Sequence, residues 1–293
     1  MTDFFANFLN PEKRLFVGYL ISAAFIAVIW IRMVQKKPLA NIVSGFFNSN
    51  IWFSKSAIAD YKLMVFNQFF IKLLAPILVG QLALTLFVFE NMHLLFSRPS
   101  ASIPVWMVML IFTSVLFILD DFSRYLLHRL MHRIPLLWKF HKAHHSATNL
   151  TPLTVLRTHP IEAVLFSFRA VIVHSLCLGV CFFFFAGSVS LIEIFGSSMF
   201  VVIFHSLGSN LRHSHVNLSY WNWLEKILVS PAQHQIHHSI NPKHYDSNFG
   251  AILAIWDNLG DSCIVSEKNQ EIKFGLKGQS EKAHNLKNLI IGS

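Results

Sequence analysis

Charge is scarce in this sequence. Only 13% of its 293 residues are Asp, Glu, Lys or Arg, and 15 acidic residues stand against 24 basic ones. Hydrophobic residues make up 54%, phenylalanine alone supplies 29, and mean hydropathy is +0.49. A soluble fold could not cover that much apolar surface, so a bilayer is the expected solvent. Cysteine is nearly absent. Cys177, Cys181 and Cys263 make no disulfide framework, and the pair four apart in an apolar run reads as helix packing. That argues against a secreted disulfide-bonded protein. H-E-x-x-H is missing, which argues against a zinc protease, and the 2-His-1-carboxylate pattern of soluble oxygenases is not visible. No haem-binding or Gly-rich dinucleotide motif appears. The net charge of +9 would suggest nucleic acid in a soluble chain. Here the basic residues flank apolar runs, where they meet anionic headgroups or set topology, and no nucleic-acid partner is expected.

What the sequence does have is apolar runs and histidine. Leu15 to Val34 is followed by Lys36 and Lys37 and lacks a small-residue cleavage site, so it reads as a retained anchor rather than a signal peptide. Leu63 to Phe89 is long enough to span, with Lys72 and a kink at Pro76. Pro104 to Leu119 runs into the first histidine cluster. Ala163 to Ala186 and Val189 to Leu207 form either a re-entrant hairpin or two full spans, with Gly187 and Ser188 at the turn. Five crossings place Met1–Arg14, the Asn91–Ile103 loop with Arg98, and the Gly187 turn on one side. Gln35–Lys62, Arg124–Glu162 and everything after Leu207 fall on the other. The second side carries nearly all the Lys and Arg outside the spans and every dense histidine cluster, so it is expected in the cytoplasm. The expected fold is an all-α membrane bundle of four to five spans with a cytosol-facing helical cap. Residues 1–110 hold the first spans, 111–265 the histidine-bearing catalytic domain, and 266–293 a polar tail, either solvated or partly ordered.

Of the 16 histidines, eight are clustered. His128 and His132 form H-x-x-x-H. His141, His144 and His145 form H-x-x-H-H, and His234, His237 and His238 repeat it. Spacings of three and four put side chains on one helix face, whereas adjacent residues diverge by roughly a hundred degrees. One imidazole of each adjacent pair can therefore serve one cation and its neighbour another. Eight nitrogens are too many for one metal and suit two with about four ligands each. Packed together without a metal, they would be costly to bury. A lone His174 reads instead as a satisfied core residue. Asp121 either orients a ligand imidazole or simply ends a helix at the membrane surface.

From about Phe117 to Ile264 these blocks resemble the fatty acid hydroxylase and sterol desaturase superfamily. The resemblance rests on Asp121-F-S-R-Tyr125-L-L-His128-R-L-M-His132, His141-K-A-His144-His145, Arg157-T-His159-P-I-Glu162, His213-S-His215, His234-Q-I-His237-His238, Asp246-S-Asn248-F-Gly250 and Trp256-Asp257. It implies two iron ions held by His128, His132, His141, His144, His145, His234, His237 and His238, with zinc able to compete in preparations. His213, favoured over His215, straddles a further ligand position with it, and His205 is another candidate. His159 and Glu162 are implied behind the ligands or along a substrate channel, with plain structural polarity as the other reading. Tyr125 and Arg157 fall with the substrate or cap residues, and Asn248 and Asp257 with the cap anchors. Leu259-Gly260-Asp261 departs from the family's usual Phe-Gly-Thr and leaves the subfamily open. The implied reaction is O2-dependent hydroxylation or desaturation of a sterol-like or fatty acyl or alkyl lipid. Electrons would come from a separate donor: a cytochrome b5-like protein, a ferredoxin or a flavoprotein reductase. The host membrane would be a bacterial inner membrane or the endoplasmic reticulum. The rival readings are a metal transporter or store, which needs polar residues along the spans, and a bis-histidine haem protein, to which the repeated boxes are surplus.

Overall fold

In a computed structural model, residues 2–71, 75–97, 103–185, 189–194, 197–267 and 270–291 are described. Lys72, Arg98 and the Gly187–Ser188 turn lie outside the described residues. The fold is helical: α1 (Thr2–Leu9), α2 (Val17–Met33), α3 (Leu39–Phe46), α4 (Ser49–Trp52), α5 (Lys55–Ile71), α6 (Ala75–Leu95), α7 (Val105–Arg133), α8 (Pro135–His145), α9 (Pro160–Phe185), α10 (Met199–Ser206), α11 (Pro231–His237), α12 (Ile255–Leu259) and α13 (Leu286–Ile291). Its one sheet among the described residues pairs Glu193–Ile194 with Ser197–Ser198.

Two helices, α7 and α9, are long and apolar enough to cross a membrane. Their most apolar windows are only 22% and 33% buried. They are therefore not core helices of a soluble domain: Trp106, Leu110, Ile118 and Leu126 of α7 point outward and need lipid. The two run antiparallel, since Phe112 meets Cys177 and Cys181 while Asp120 meets Arg169. α6 runs parallel to α9, with Ser175 Oγ donating to Gln81 O and His93 stacking edge-on to Phe183. Gly179 lets them close: a Cβ there would meet Val88 at 2.7 Å and Thr85 O at 3.0 Å. Polar residues in this layer satisfy one another. Arg169 Nη1 lies 2.9 Å from Asp120 Oδ1, and His174 Nε2 lies 3.3 Å from the same oxygen.

Of the two readings of Val189–Leu207, a re-entrant hairpin and a full span, the described residues fit the first. After the two-residue strands, α10 has 8 residues, about 12 Å at 1.5 Å per residue, far short of a ~30 Å hydrocarbon core. The segment returns instead along the middle of α7, where Ile192 N–H donates to Thr113 Oγ1 and Phe200 packs on Phe117. One topological expectation needs correction: Arg14 is not on the side opposite the histidines. Arg14 Nη2 donates to Ser209 O, Asn210 donates to Arg14 O, and Trp30 Nε1 donates to Asn217 O. Both ends of α2 thus hold the segment that carries His213. Small residues permit this: Ala23 and Ala27 press against Leu211, Val216 and Leu218.

Of the two readings of the chain's end, solvated or partly ordered, the described residues fit the second. Leu289 is buried with Ala59, Leu63 and Ala143, Ile240 N–H donates to Lys273 O, and Gln279 donates to Ser146 O. Sparse apolar residues in 266–293 hid this docking from composition.

Candidate metal centre

Three short elements converge at the C-terminal end of α7. His128 and His132 sit one turn apart on its last turns. Ile134 leaves the helix in an extended conformation, and Pro135 starts α8 where its missing N–H costs nothing. That reversal brings His141, His144 and His145 back toward α7. Gly208 (φ 87°) turns the chain from α10 into the 3-10 turn Ser209–His213. Ser230 and Gln233 form a capping box that starts α11, which carries His234 and His237 with His238 at its end.

Nine imidazoles assemble into two groups. His128, His132, His141, His145 and His237 form one, and His144, His213, His234 and His238 the other; within each, one nitrogen per residue lies within 4.8 Å of all the rest. Both adjacent pairs are split between groups, His144 from His145 and His237 from His238. The divergence of neighbours around a helix makes this division.

The hydrogen bonds determine which nitrogen faces inward. His128 Nδ1 lies 2.7 Å from Phe249 O, His237 Nδ1 2.7 Å from Ser247 O, His144 Nδ1 3.2 Å from Arg157 O, and His141 Nδ1 2.9 Å from Glu162 Oε1. Carbonyl and carboxylate oxygens only accept, so each Nδ1 carries the proton and each Nε2 presents a lone pair. Those lone pairs then face one another. Nε2 of His128 and His141 are 3.1 Å apart, and Nε2 of His213 lies 3.1–3.3 Å from those of His144, His234 and His238. Nitrogens around one metal with bonds near 2.1 Å sit roughly 3.0–3.4 Å apart. Nε2 of His132 and of His237 is buried without a partner. The donor set therefore fits two cations and is hard to account for without them. Burial above all holds His144, His145, His213, His234 and His238 well below the ordinary histidine range, and His237 at about 3. Neutral imidazole is the form a metal needs.

The remaining candidates fall elsewhere. His215 is outside both groups and packs its ring on Phe46. His205 bonds Ser209 Oγ at 2.7 Å rather than joining a group. His159 bonds Ile290 O, tying α9 to the chain's last helix. Asp121 orients no imidazole. Its carboxylate accepts from Ile252 N, Leu253 N and Trp256 Nε1, pinning the cap to α7. Asp257 accepts from Phe249 N, Gly250 N and Ser262 Oγ, and Asn248 (φ 52°) bridges Gln233 O and Ile264, so together they shape the loop that offers Phe249 O to His128. Tyr125 is buried and its hydroxyl accepts from Arg129. Arg157 is completely buried in an ion pair with Asp60 at 2.8 Å. Among the described residues, Glu162 is the acid that bonds a clustered imidazole.

Cavities open on two sides. One of ≈ 330 Å³ reaches His132, His145 and His237 beneath Tyr245 and Leu276. The other, ≈ 310 Å³, is lined by His128, His141, His144, His213 and His234 together with Val155, Phe166, Phe249, Arg14, Arg124 and Arg212. Sequence reasoning did not single out these three arginines. Arg14 looked like a charge beside a span, and Arg212 was hidden by its neighbour His213.

A model of the fatty acid hydroxylase family matches residues 113–262, just over half of the chain. Alkylglycerol monooxygenase of Danio rerio is 28% identical over 207 residues, covering 67% of this chain and 38% of that protein. Its Xenopus tropicalis counterpart is 29% identical over 167 residues, covering 53% and 31%. Ornithine lipid hydroxylase OlsE of Rhizobium tropici is 29% identical over 165 residues, covering 56% and 45%. The chain thus spans less than half the length of these curated relatives. No solved structure matches.

Proposed function

The chain belongs to the fatty acid hydroxylase family, and on that premise we propose that it is a membrane-bound oxidoreductase that uses O2 to hydroxylate a lipid C–H bond. The carrying observation is the pair of clusters of inward-facing imidazole nitrogens, with Nδ1 of His128, His141, His144 and His237 donating outward. His128, His132, His141, His145 and His237 would hold one iron, and His144, His213, His234 and His238 the other. Bound there, two irons would supply the redox power that an unactivated C–H bond requires and that no side-chain acid or base has. The relatives named as lipid-acting monooxygenases and hydroxylases support hydroxylation over desaturation.

The protein's own residues have separable tasks. Glu162 and the carbonyls of Phe249, Ser247 and Arg157 keep four imidazoles in the tautomer with Nε2 free. The ≈ 310 Å³ cavity, walled by Val155, Ala163, Phe166 and Ala251, is where lipid would meet both groups. Electrons would arrive from a separate donor. The basic residues of the cap favour its placement on the cytoplasmic side, in a bacterial inner membrane or the endoplasmic reticulum.

The test is isotopic. Cells expressing the protein under 18O2 should accumulate a lipid carrying one 18O atom, and a variant combining His144→Ala and His237→Ala should abolish it. An unchanged lipid profile under air, with metal-loaded protein in the membrane, would refute the assignment.

A further inference from the structure

The chain treats its buried arginines in two ways. Arg157 is paired with Asp60, and Arg169 with Asp120. Arg14 and Arg212 have no carboxylate partner among the described residues. Arg212 is 3% exposed; its Nη2 reaches Val229 O at 3.4 Å, its guanidinium covers the Phe204 ring at 4.6 Å, and its Nε is unbonded. Arg14 spends Nη2 on Ser209 O, and its wholly covered Nε is also unbonded. Asp121, the acid whose field reaches Arg212, is already committed to three N–H donors. Glu162, the acid among the described residues lining the same cavity, bonds His141 through Oε1, leaves Oε2 buried without a partner, and makes no ion pair with either arginine.

Both guanidiniums line the ≈ 310 Å³ cavity that exposes both histidine groups, and Arg124, shared with Asp120, joins them there. Burial first, and then the charges of Arg212 and Arg124, push Arg14 down to about 9. Metal cations behind the histidines would add to this positive field. An uncompensated buried charge is costly, and a planar guanidinium fork matches phosphate and carboxylate oxygens.

Resting on the lipid-hydroxylase reading, we propose that the substrate carries an anionic group, a phosphate or carboxylate, that docks on Arg14 and Arg212 in this cavity. A space of ≈ 310 Å³ holds a headgroup and the first few carbons, not a whole lipid. The carbon presented to the histidines therefore lies within a few bonds of the anion, and the tail leaves toward the bilayer past Val155 and Phe166. Arg14 and Arg212 position the substrate; they touch no reacting bond.

The experiment uses the full, metal-loaded chain in detergent and native mass spectrometry. The probes are a lysophosphatidic acid, a monoacylglycerol of the same chain, and inorganic phosphate as competitor. The wild type should bind the anionic lipid at least about tenfold more tightly than the neutral one, and Arg14→Gln should erase that preference without changing metal content. Arg212→Gln should do the same. Because Arg212 adjoins His213, Arg14→Gln decides if that second variant misfolds. Equal affinity for both lipids, or an equal loss for both in Arg14→Gln, overturns the proposal. So does inorganic phosphate that binds as tightly as the lipid, since the site would then serve a free anion. Arginine-dependent lipid binding with no 18O incorporation would sink the hydroxylase reading but leave this site standing. Incorporation into neutral lipid that is indifferent to Arg14→Gln would do the reverse.

Discussion

Replacing Asp60 by alanine should unfold the cap from a distance. Asp60 and Arg157 are both completely buried, 2.8 Å apart. Arg157 also donates Nε to Ala143 O and Nη2 to Ser146 Oγ, so it cannot swing out to water. Asp60→Ala leaves a fixed, unpaired cation in the interior, and a broken buried pair costs about 3–5 kcal/mol. The effect extends to the centre, because His144 donates Nδ1 to Arg157 O. Chemical denaturation in detergent should show the loss of stability, and elemental analysis should show reduced metal in the group containing His144. Combining Asp60→Ala with Arg157→Met removes both charges and should restore most of the stability. The reasoning fails if Asp60→Ala stays within about 1 kcal/mol of the wild type, or if the double variant is as unstable as the single one.

Other outcomes follow from the same contacts. Glu162→Gln keeps a hydrogen-bond acceptor for His141 but removes the charge; metal affinity of the first group should fall roughly 10–100-fold, read by competition with a chelator. His213→Ala should release metal, whereas His215→Ala should leave metal content and activity near normal, because only His213 faces the other imidazoles. Gly179→Leu should separate α6 from α9, whose backbones meet at that glycine, and lower the thermal midpoint in detergent. For the metal-free protein, unfolded histidines protonate near 6.5 while the buried ones resist, His237 down to about 3. The unfolded state therefore binds more protons below about 6.5, so stability should be flat above that pH and fall as pH drops through it. Stability that rises on acidification would contradict the neutral imidazole cluster.

The histidine pattern was legible because it is local. Three- and four-residue spacings and adjacent pairs already state which side chains share a helix face, and α7, α8 and α11 supply those faces. The choice between His213 and His215 was not legible. It depends on a 3-10 turn entered through Gly208 at positive φ, which no helical periodicity describes. The partners of the imidazoles were largely hidden too. Three are backbone carbonyls, which carry no side-chain signal, and Glu162 is 21 residues from His141 in the chain. Asp121 was visible as an acid near the box, but its partners lie more than 130 residues away, in a loop and the start of α12. Hydropathy located α7 and α9, and for Val189–Leu207 it left a re-entrant hairpin and a full span open, since a short apolar helix and one crossing a bilayer have the same composition.

The central claim is that nine imidazoles form two separate cation sites. Elemental analysis of the purified, iron-loaded chain tests it most directly, in the wild type and in variants that each empty one group. Two irons per chain are expected, falling to about one in His132→Ala/His237→Ala and to about one in His213→Ala/His234→Ala. A single iron in the wild type, or metal retained when both groups are mutated together, would contradict it.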